Sequence, residues 1–150
     1  MNKHFILASS SKRRLELLSQ IGVKPDLILS PNINEEMFSK ELPRIYVKRM
    51  SLEKNRAFQQ KYPESIILTA DTVVSVGRRI LPKTMDRNTA EECLKLISGR
   101  RHKVFTSFTL HSPNNSLKTK TIQSIIKFKR LHPDEISYYL ATKEWEGKAG

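Results

Sequence analysis

Short apolar runs alternate with segments of helical period along most of this chain, and that alternation restricts the fold more than any other feature. Residues 4–9, with Phe5-Ile6-Leu7-Ala8 at their centre, read as a short buried strand. A serine cluster follows, and then Arg13 to Ile21 reads as a helix. Ser10 or Ser11 can cap its start and Gly22 can close its end. Asp26 to Ser30 reads as a second strand between Pro25 and Pro31, and leads into a polar loop, Asn32 to Glu36. Pro43 opens a long helix to about Tyr62, with Tyr46, Met50, Ala57 and Phe58 as its apolar stripe. Ile66 to Ala70 is an apolar strand ending at Asp71. Thr72 to Val76 continues extended, and Gly77 turns the chain into Ile80-Leu81.

In the remaining half, Asn88 is read as the N-cap of a third helix, with Glu91 at the capping-box position. That helix carries Cys93, Leu94, Leu96 and Ile97 and stops at Gly99. Val104 to His111, a turn at Pro113-Asn114-Asn115, and Thr119 to Phe128 predict a hairpin. Pro133 begins a last helix through Tyr138, Tyr139 and Leu140. Mixed strands and helices of this kind predict an α/β fold, a mixed central sheet flanked by helices. Residues 1–150 form one domain in this reading, with two lobes around a cleft.

The chain has 150 residues, enough for a domain to bury roughly 70% of the surface exposed when unfolded. Cys93 is the only cysteine, so no intrachain disulfide can form, and it suits a small core position. The apolar stretch at Phe5–Ala8 is far shorter than a secretory core, and no run approaches a membrane span. A soluble, cytoplasmic protein is expected, without a membrane partner. Lys plus Arg number 27 and Asp plus Glu 15, so the formal charge is 27 − 15 = +12. Such an excess attracts polyanions, whether nucleotides, nucleic acids or anionic membranes.

Position narrows the choice. Ser9-Ser10-Ser11-Lys12-Arg13-Arg14 lies between a strand and a helix, where free backbone N–H groups favour an anion. Three cations there oppose the helix dipole. That arrangement points to bound phosphate; a solvated basic turn is the alternative. Asp71, at the end of an apolar strand, is suited to take a proton from water or to hold Mg²⁺. A turn-forming role competes with that reading. Glu35 could complete a metal site with Asp71, but by residue type alone it reads first as a solvated loop acid. Lys54 and Lys83 taken singly read as surface lysines, and His102 lacks partners at metal-ligand spacing. No Walker phosphate loop or dinucleotide glycine fingerprint occurs.

Taken in order, these segments resemble the Maf family of nucleoside triphosphate pyrophosphatases. Leu7 to Leu18 resembles the family's opening motif. Glu35 falls at its loop glutamate, and Lys54 in Ser51-Leu52-Glu53-Lys54-Asn55 is similar to its helix lysine. Ala70-Asp71-Thr72-Val73-Val74 resembles the central motif, and Gly77 to Asp86 follows the next through Lys83 and Asp86. Ser98 to Val104 with Thr106, and Trp145 to Gly150, resemble two more. The resemblance implies an inosine-triphosphatase-like fold and hydrolysis of a nucleoside triphosphate to monophosphate and pyrophosphate with a divalent cation, Mg²⁺ or Mn²⁺. It implies Asp71 as proton acceptor and Ser9, Arg13, Arg14, Lys54, Thr72 and Lys83 as substrate-binding residues. Glu35 and Asp71 are implied as metal ligands. Arg13 and Thr72 resemble the dTTP/UTP branch. A homodimer is also implied.

Two departures accompany the resemblance. Pro82-Lys83-Thr84 stands where the family has Gly-Lys-Pro, and proline fixes φ and removes a donor. The chain also stops before the family's last segment, which predicts a C-terminally truncated member. Two other readings stay open: an inactive relative that binds nucleotide without hydrolysing it, and a basic nucleic-acid-binding domain.

Overall fold

A computed structural model describes residues 3–114 and 116–150. The elements are β1 (Phe5–Ala8), α1 (Lys12–Gln20), β2 (Leu27–Leu29), α2 (Pro43–Gln59) and β3 (Ile66–Val76), followed by β4 (Arg79–Leu81), α3 (Arg87–Ile97), β5 (Arg101–Ser112), β6 (Ser116–Lys127) and α4 (Pro133–Thr142). The sheet has six strands in the order β2-β1-β3-β5-β6, with β4 paired to β3. β1 runs parallel to β2 and to β3, and β4 runs antiparallel to β3. This is the mixed α/β sheet that the alternation of apolar runs predicts.

The chain divides into two compact units. One comprises the chain up to Asp71 with Thr106–Thr121, and the other Thr72–Phe105 with Ile122–Gly150. In the first, Ile6, Ala8, Phe58 and Ile67 form a buried cluster against Leu29 and Tyr62. In the second, α3 and α4 supply Ala90, Cys93, Leu94, Ile97, Ile136 and Leu140 to a cluster with Val74 and Leu81. Burial raises the Cys93 thiol pKa above its ordinary value, as suits a core residue.

The inner face of α2 departs from the expected stripe. Tyr46, Val47, Met50 and Phe58 are buried there, but so are Ser51, Lys54 and Asn55, whereas Ala57 is only half-buried. The helix also ends at Gln59, short of Tyr62. Polar groups on a buried face must be hydrogen-bonded, and these are. The Asn55 amide donates to the Ile67 and Thr109 carbonyls, each at 3.0 Å, and its oxygen accepts from Gln59 at 2.8 Å. Thr69 Oγ1 donates to the Ser51 carbonyl at 2.7 Å. Ser51 Oγ bonds to Ser107 Oγ at 3.1 Å and Thr109 Oγ1 at 3.0 Å. This network fixes α2 on β3 and β5 in one rotation about its axis, so Lys54 is delivered to the sheet instead of to solvent.

The N-cap of α3 is Asp86 and not Asn88. Its Oδ2 accepts from the Thr89 backbone N–H at 2.8 Å and from Thr89 Oγ1 at 2.7 Å. Both residues are good caps, and Glu91, taken as the capping-box partner, instead pairs with Lys95 at 2.6 Å. α4 does carry a capping box, built from His132 and Glu135. Gly77, at φ +59, begins the turn between β3 and β4, as expected of a residue free of a Cβ penalty. β5 and β6 are sheet neighbours, with Ser107 and Thr109 bonded to Thr121 and Thr119. Asn115 of the expected turn lies outside the described residues. β6 is the last strand of the sheet, with Leu117, Ile122, Ile125 and Ile126 exposed beside Lys118, Lys120 and Lys127.

Two outcomes follow from these contacts. Asn55→Ala leaves buried carbonyls without their donor and should lower stability by at least about 2 kcal/mol, read as a lower urea midpoint at unchanged m-value. The Thr89 hydrogen bonds hold the Asp86 pKa below its ordinary value. A depressed folded pKa contributes stability that is present above about pH 4 and is lost as pH falls through the folded value. Asp86→Asn keeps a capping residue but removes that titration, so its thermal midpoint should fall less than the wild type's between neutral pH and that acidic window.

Candidate active site

Lys54 carries the candidate site. It lies on the buried face of α2, only 4% exposed, although lysine is almost never buried without a partner. Its Nζ is 2.8 Å from Asp71 Oδ1 and 2.9 Å from Glu35 Oε1. One ammonium therefore joins two carboxylates from different parts of the first unit. Asp71 is itself 4% exposed, while the Glu35 side chain is 49% exposed. One side of the cluster is thus desolvated and the other is open to water.

The strand placement of Asp71 differs from the expectation. β3 is continuous from Ile66 to Val76, so Asp71 lies within it and not at its end. The carboxyl end that matters is that of β1. The parallel register pairs Ala8, the last residue of β1, with Thr69, so Asp71 projects from β3 just beyond the point where β1 stops. Ligand sites of α/β sheets form where strands end on their carboxyl side. Here the neighbour's end supplies the opening, and the longer strand supplies the acid.

The serine turn follows β1 directly. Ser9 is buried, and its Oγ accepts from Arg14 Nη1 at 2.9 Å and from the Ser11 N–H at 3.2 Å. Ser11 occupies the N-cap of α1 without a side-chain capping bond, and the first turn of that helix carries no acid. The guanidinium of Arg14 is held between opposing influences. Burial lowers its pKa, and the charges of Asp71 and Glu35 act in the opposite direction. Arginine stays protonated throughout, so a half-buried cation faces the two carboxylates.

Ser9, Arg14, Glu35, Lys54 and Asp71 are thus brought together within the first unit. Arg13 is exposed on the first turn of α1. Thr72 and Lys83 belong to the second unit, Thr72 half-buried and Lys83 exposed. Thr72 follows Asp71 on β3 and by strand alternation points to the opposite face.

Tyr46 was legible in the sequence only as an apolar position. Its hydroxyl donates to the Glu35 backbone carbonyl at 2.8 Å, tying the glutamate's loop to α2. Its phenol is pushed up to about 12, first by burial and then by the charges of Asp71 and Glu35. It therefore remains a donor across the neutral range.

The family model described as Maf-like protein matches residues 4–150. The chain belongs to the Maf family. It is 48% identical over 147 residues to a protein of Ehrlichia chaffeensis named nucleoside triphosphate pyrophosphatase, covering 98% of this chain and 77% of that one. It is 49% identical over 148 residues to a Wolbachia protein (subsp. Drosophila simulans) named dTTP/UTP pyrophosphatase, covering 98% and 75%. Among solved structures it resembles a dITP/XTP pyrophosphatase of Mycobacterium abscessus at a TM-score of 0.50 and 15% identity, covering 81% of this chain and 71% of that one. That likeness concerns the fold. No helix among the described residues is long and apolar enough to cross a membrane.

The triad of this Maf-family chain can be tested through stability. Removing one partner of a buried ion pair costs about 3–5 kcal/mol, because the other charge stays buried alone. Lys54→Met should destabilise on that scale. Adding Asp71→Asn to it should recover much of the loss, in a double-mutant cycle read by urea unfolding. Strict additivity of the two changes would show that the pair is not coupled.

Proposed function

We propose that this chain is a nucleoside triphosphate pyrophosphatase acting on UTP and dTTP, hydrolysing the bond between the α- and β-phosphates to release a monophosphate and pyrophosphate. The observation that carries the reading is the Asp71–Lys54–Glu35 cluster, with Arg14 beside it. The names of the Ehrlichia and Wolbachia relatives support the same activity, and the Wolbachia name supports the two pyrimidine substrates.

Asp71 accepts the proton of the attacking water. The water oxygen forms a bond to the α-phosphorus, the bond from that phosphorus to the bridging oxygen breaks, and pyrophosphate leaves with the electron pair. A general base of this kind contributes typically 10²–10⁴-fold. Charge grows on the phosphate oxygens during the step. Lys54 and Arg14 are fixed cations in a partly desolvated place, where such stabilisation is strongest. Arg13, Ser9 and Lys83 are assigned to the triphosphate, and Thr72 to base preference, on the motif resemblance.

The chemistry of the donor set supports a divalent cation. Glu35 and Asp71 both reach the Lys54 ammonium, at 2.9 and 2.8 Å, so their carboxylates lie near one another, and carboxylate oxygens are the donors that suit Mg²⁺ or Mn²⁺. No group of three or more His, Cys, Asp or Glu side chains converges among the described residues. Mg²⁺ is commonly held by one or two carboxylates together with substrate phosphates, and Glu35 and Asp71 would supply them. Bound there, the metal would offset charge on the phosphate oxygens. A cytoplasmic location, expected from the composition of the chain, and a homodimer, implied by the family resemblance, complete the proposal.

Purified protein with Mg²⁺ should release pyrophosphate from UTP and dTTP, followed with a coupled phosphate assay. Asp71→Asn should lower kcat by about 10²–10⁴-fold while the protein stays folded. Full activity in that variant would remove Asp71 from the chemistry. Thermal stabilisation by nucleotide without turnover in the wild type would favour the reading as a binding protein.

A further inference from the structure

Glu35 lies in an exposed segment, residues 32–40, that forms no helix or strand. A glutamate on such a segment would sample many positions, yet its carboxylate meets the buried Lys54. Local bonds shape the segment, with Asn34 Oδ1 accepting from the Glu36 N–H at 3.0 Å and the Phe38 carbonyl accepting from the Glu41 N–H at 3.1 Å, and its attachment to the rest of the first unit comes from α2. Arg49 Nε and Nη2 grip the two oxygens of Glu41, each at 2.7 Å. Arg49 Nη2 also donates to the Glu36 carbonyl at 2.8 Å. Its guanidinium stacks on the Phe38 ring, 3.9 Å from the centroid. The Glu41 carboxylate in turn accepts from the Phe38 N–H at 3.1 Å. Tyr46, one helical turn before Arg49, donates to the carbonyl of Glu35 itself.

We propose that Tyr46 and Arg49 are positioning residues that clamp the Glu35–Glu41 segment onto α2, so that the Glu35 carboxylate is presented to Lys54 and to a metal-bound triphosphate. The inference rests on the proposed role of Glu35. The same helix places Lys54 and holds the segment that carries its partner, so α2 fixes both ends of the Lys54–Glu35 contact. A fork gripping both carboxylate oxygens is a task for arginine, since lysine offers a point charge without that geometry. Burial of the Glu41 side chain, 5% exposed, removes competing water from the grip.

Hydrogen exchange reads the clamp without reference to catalysis. In Arg49→Lys the amides of Phe38 and Glu41 should exchange about tenfold faster or more, an opening made about 1.4 kcal/mol easier. Tyr46→Phe keeps the ring and loses only the hydroxyl, so it covers the case in which the arginine variant folds poorly. It should speed exchange around Glu35 with little change in thermal midpoint. Both variants should weaken Mn²⁺ binding in the presence of a non-hydrolysable nucleotide, measured by calorimetry, and lower kcat/KM by about 10- to 100-fold. In a Glu35→Gln background either change should have little further effect.

Unchanged exchange in both variants would overturn the proposal. So would losses that multiply in full on top of Glu35→Gln, because the clamp would then act elsewhere. If the wild type hydrolysed no nucleotide, the functional reading would fail, and exchange together with Mn²⁺ binding would still decide the clamp.

Discussion

A buried ammonium between two carboxylates is the constraint around which the first unit is arranged. An isolated charge in a low-dielectric interior is prohibitively costly, so Lys54 is tolerable only where Asp71 and Glu35 meet it. That requirement reaches outward. α2 must present Lys54 inward, so Ser51 and Asn55, on the same face, are drawn inside and need partners of their own. β3 must continue past the end of β1 so that its acid emerges beside the serine turn. The loop before α2 must be held close enough for its glutamate to arrive.

The polar character of α2 therefore has a cause beyond that helix. A purely apolar stripe would pack well against β3 and β5, yet would allow small rotations and slides with little loss. Directional bonds from Asn55 and Ser51 to specific carbonyls and hydroxyls do not. Positioning of a reactive group to within a fraction of an ångström is what a catalytic constellation needs from its support. The first unit meets that need with hydrogen bonds where other helices use leucines, and the second, with its apolar α3 and α4, shows the contrast.

Most elements could be read from local pattern, because each carries its own signal: proline at the first turn of α2 and α4, glycine after α3, and apolar runs at β1 and β3. Local pattern is ambiguous where two signals are equally good or where the deciding partner lies far along the chain. Asp86 and Asn88 both cap well, and only the fold shows which side chain reaches Thr89. Asp71 marks the end of an apolar run, and the extended stretch expected from Thr72 to Val76 joins that run as one strand. Ala57 fits a helical stripe that the polar network displaced. At the site, residue type and order singled out Lys54, Glu35 and Asp71 through the family resemblance. The roles of Tyr46 and Arg49 depend on partners across a loop, and no periodicity encodes a tyrosine hydroxyl meeting a carbonyl eleven positions earlier.

The outermost strand, β6, has a bearing on how these molecules behave toward each other. Among the described residues it combines exposed isoleucines with the last place in the strand order, a combination that invites strands from other chains. Lys118, Lys120 and Lys127 lie along it, and repulsion between like-charged edges opposes that docking. This safeguard is electrostatic, so it weakens as dissolved ions shorten the screening length to about 3 Å near 1 M salt. Colloidal stability of the protein is accordingly tied to ionic strength, independently of anything the active site does.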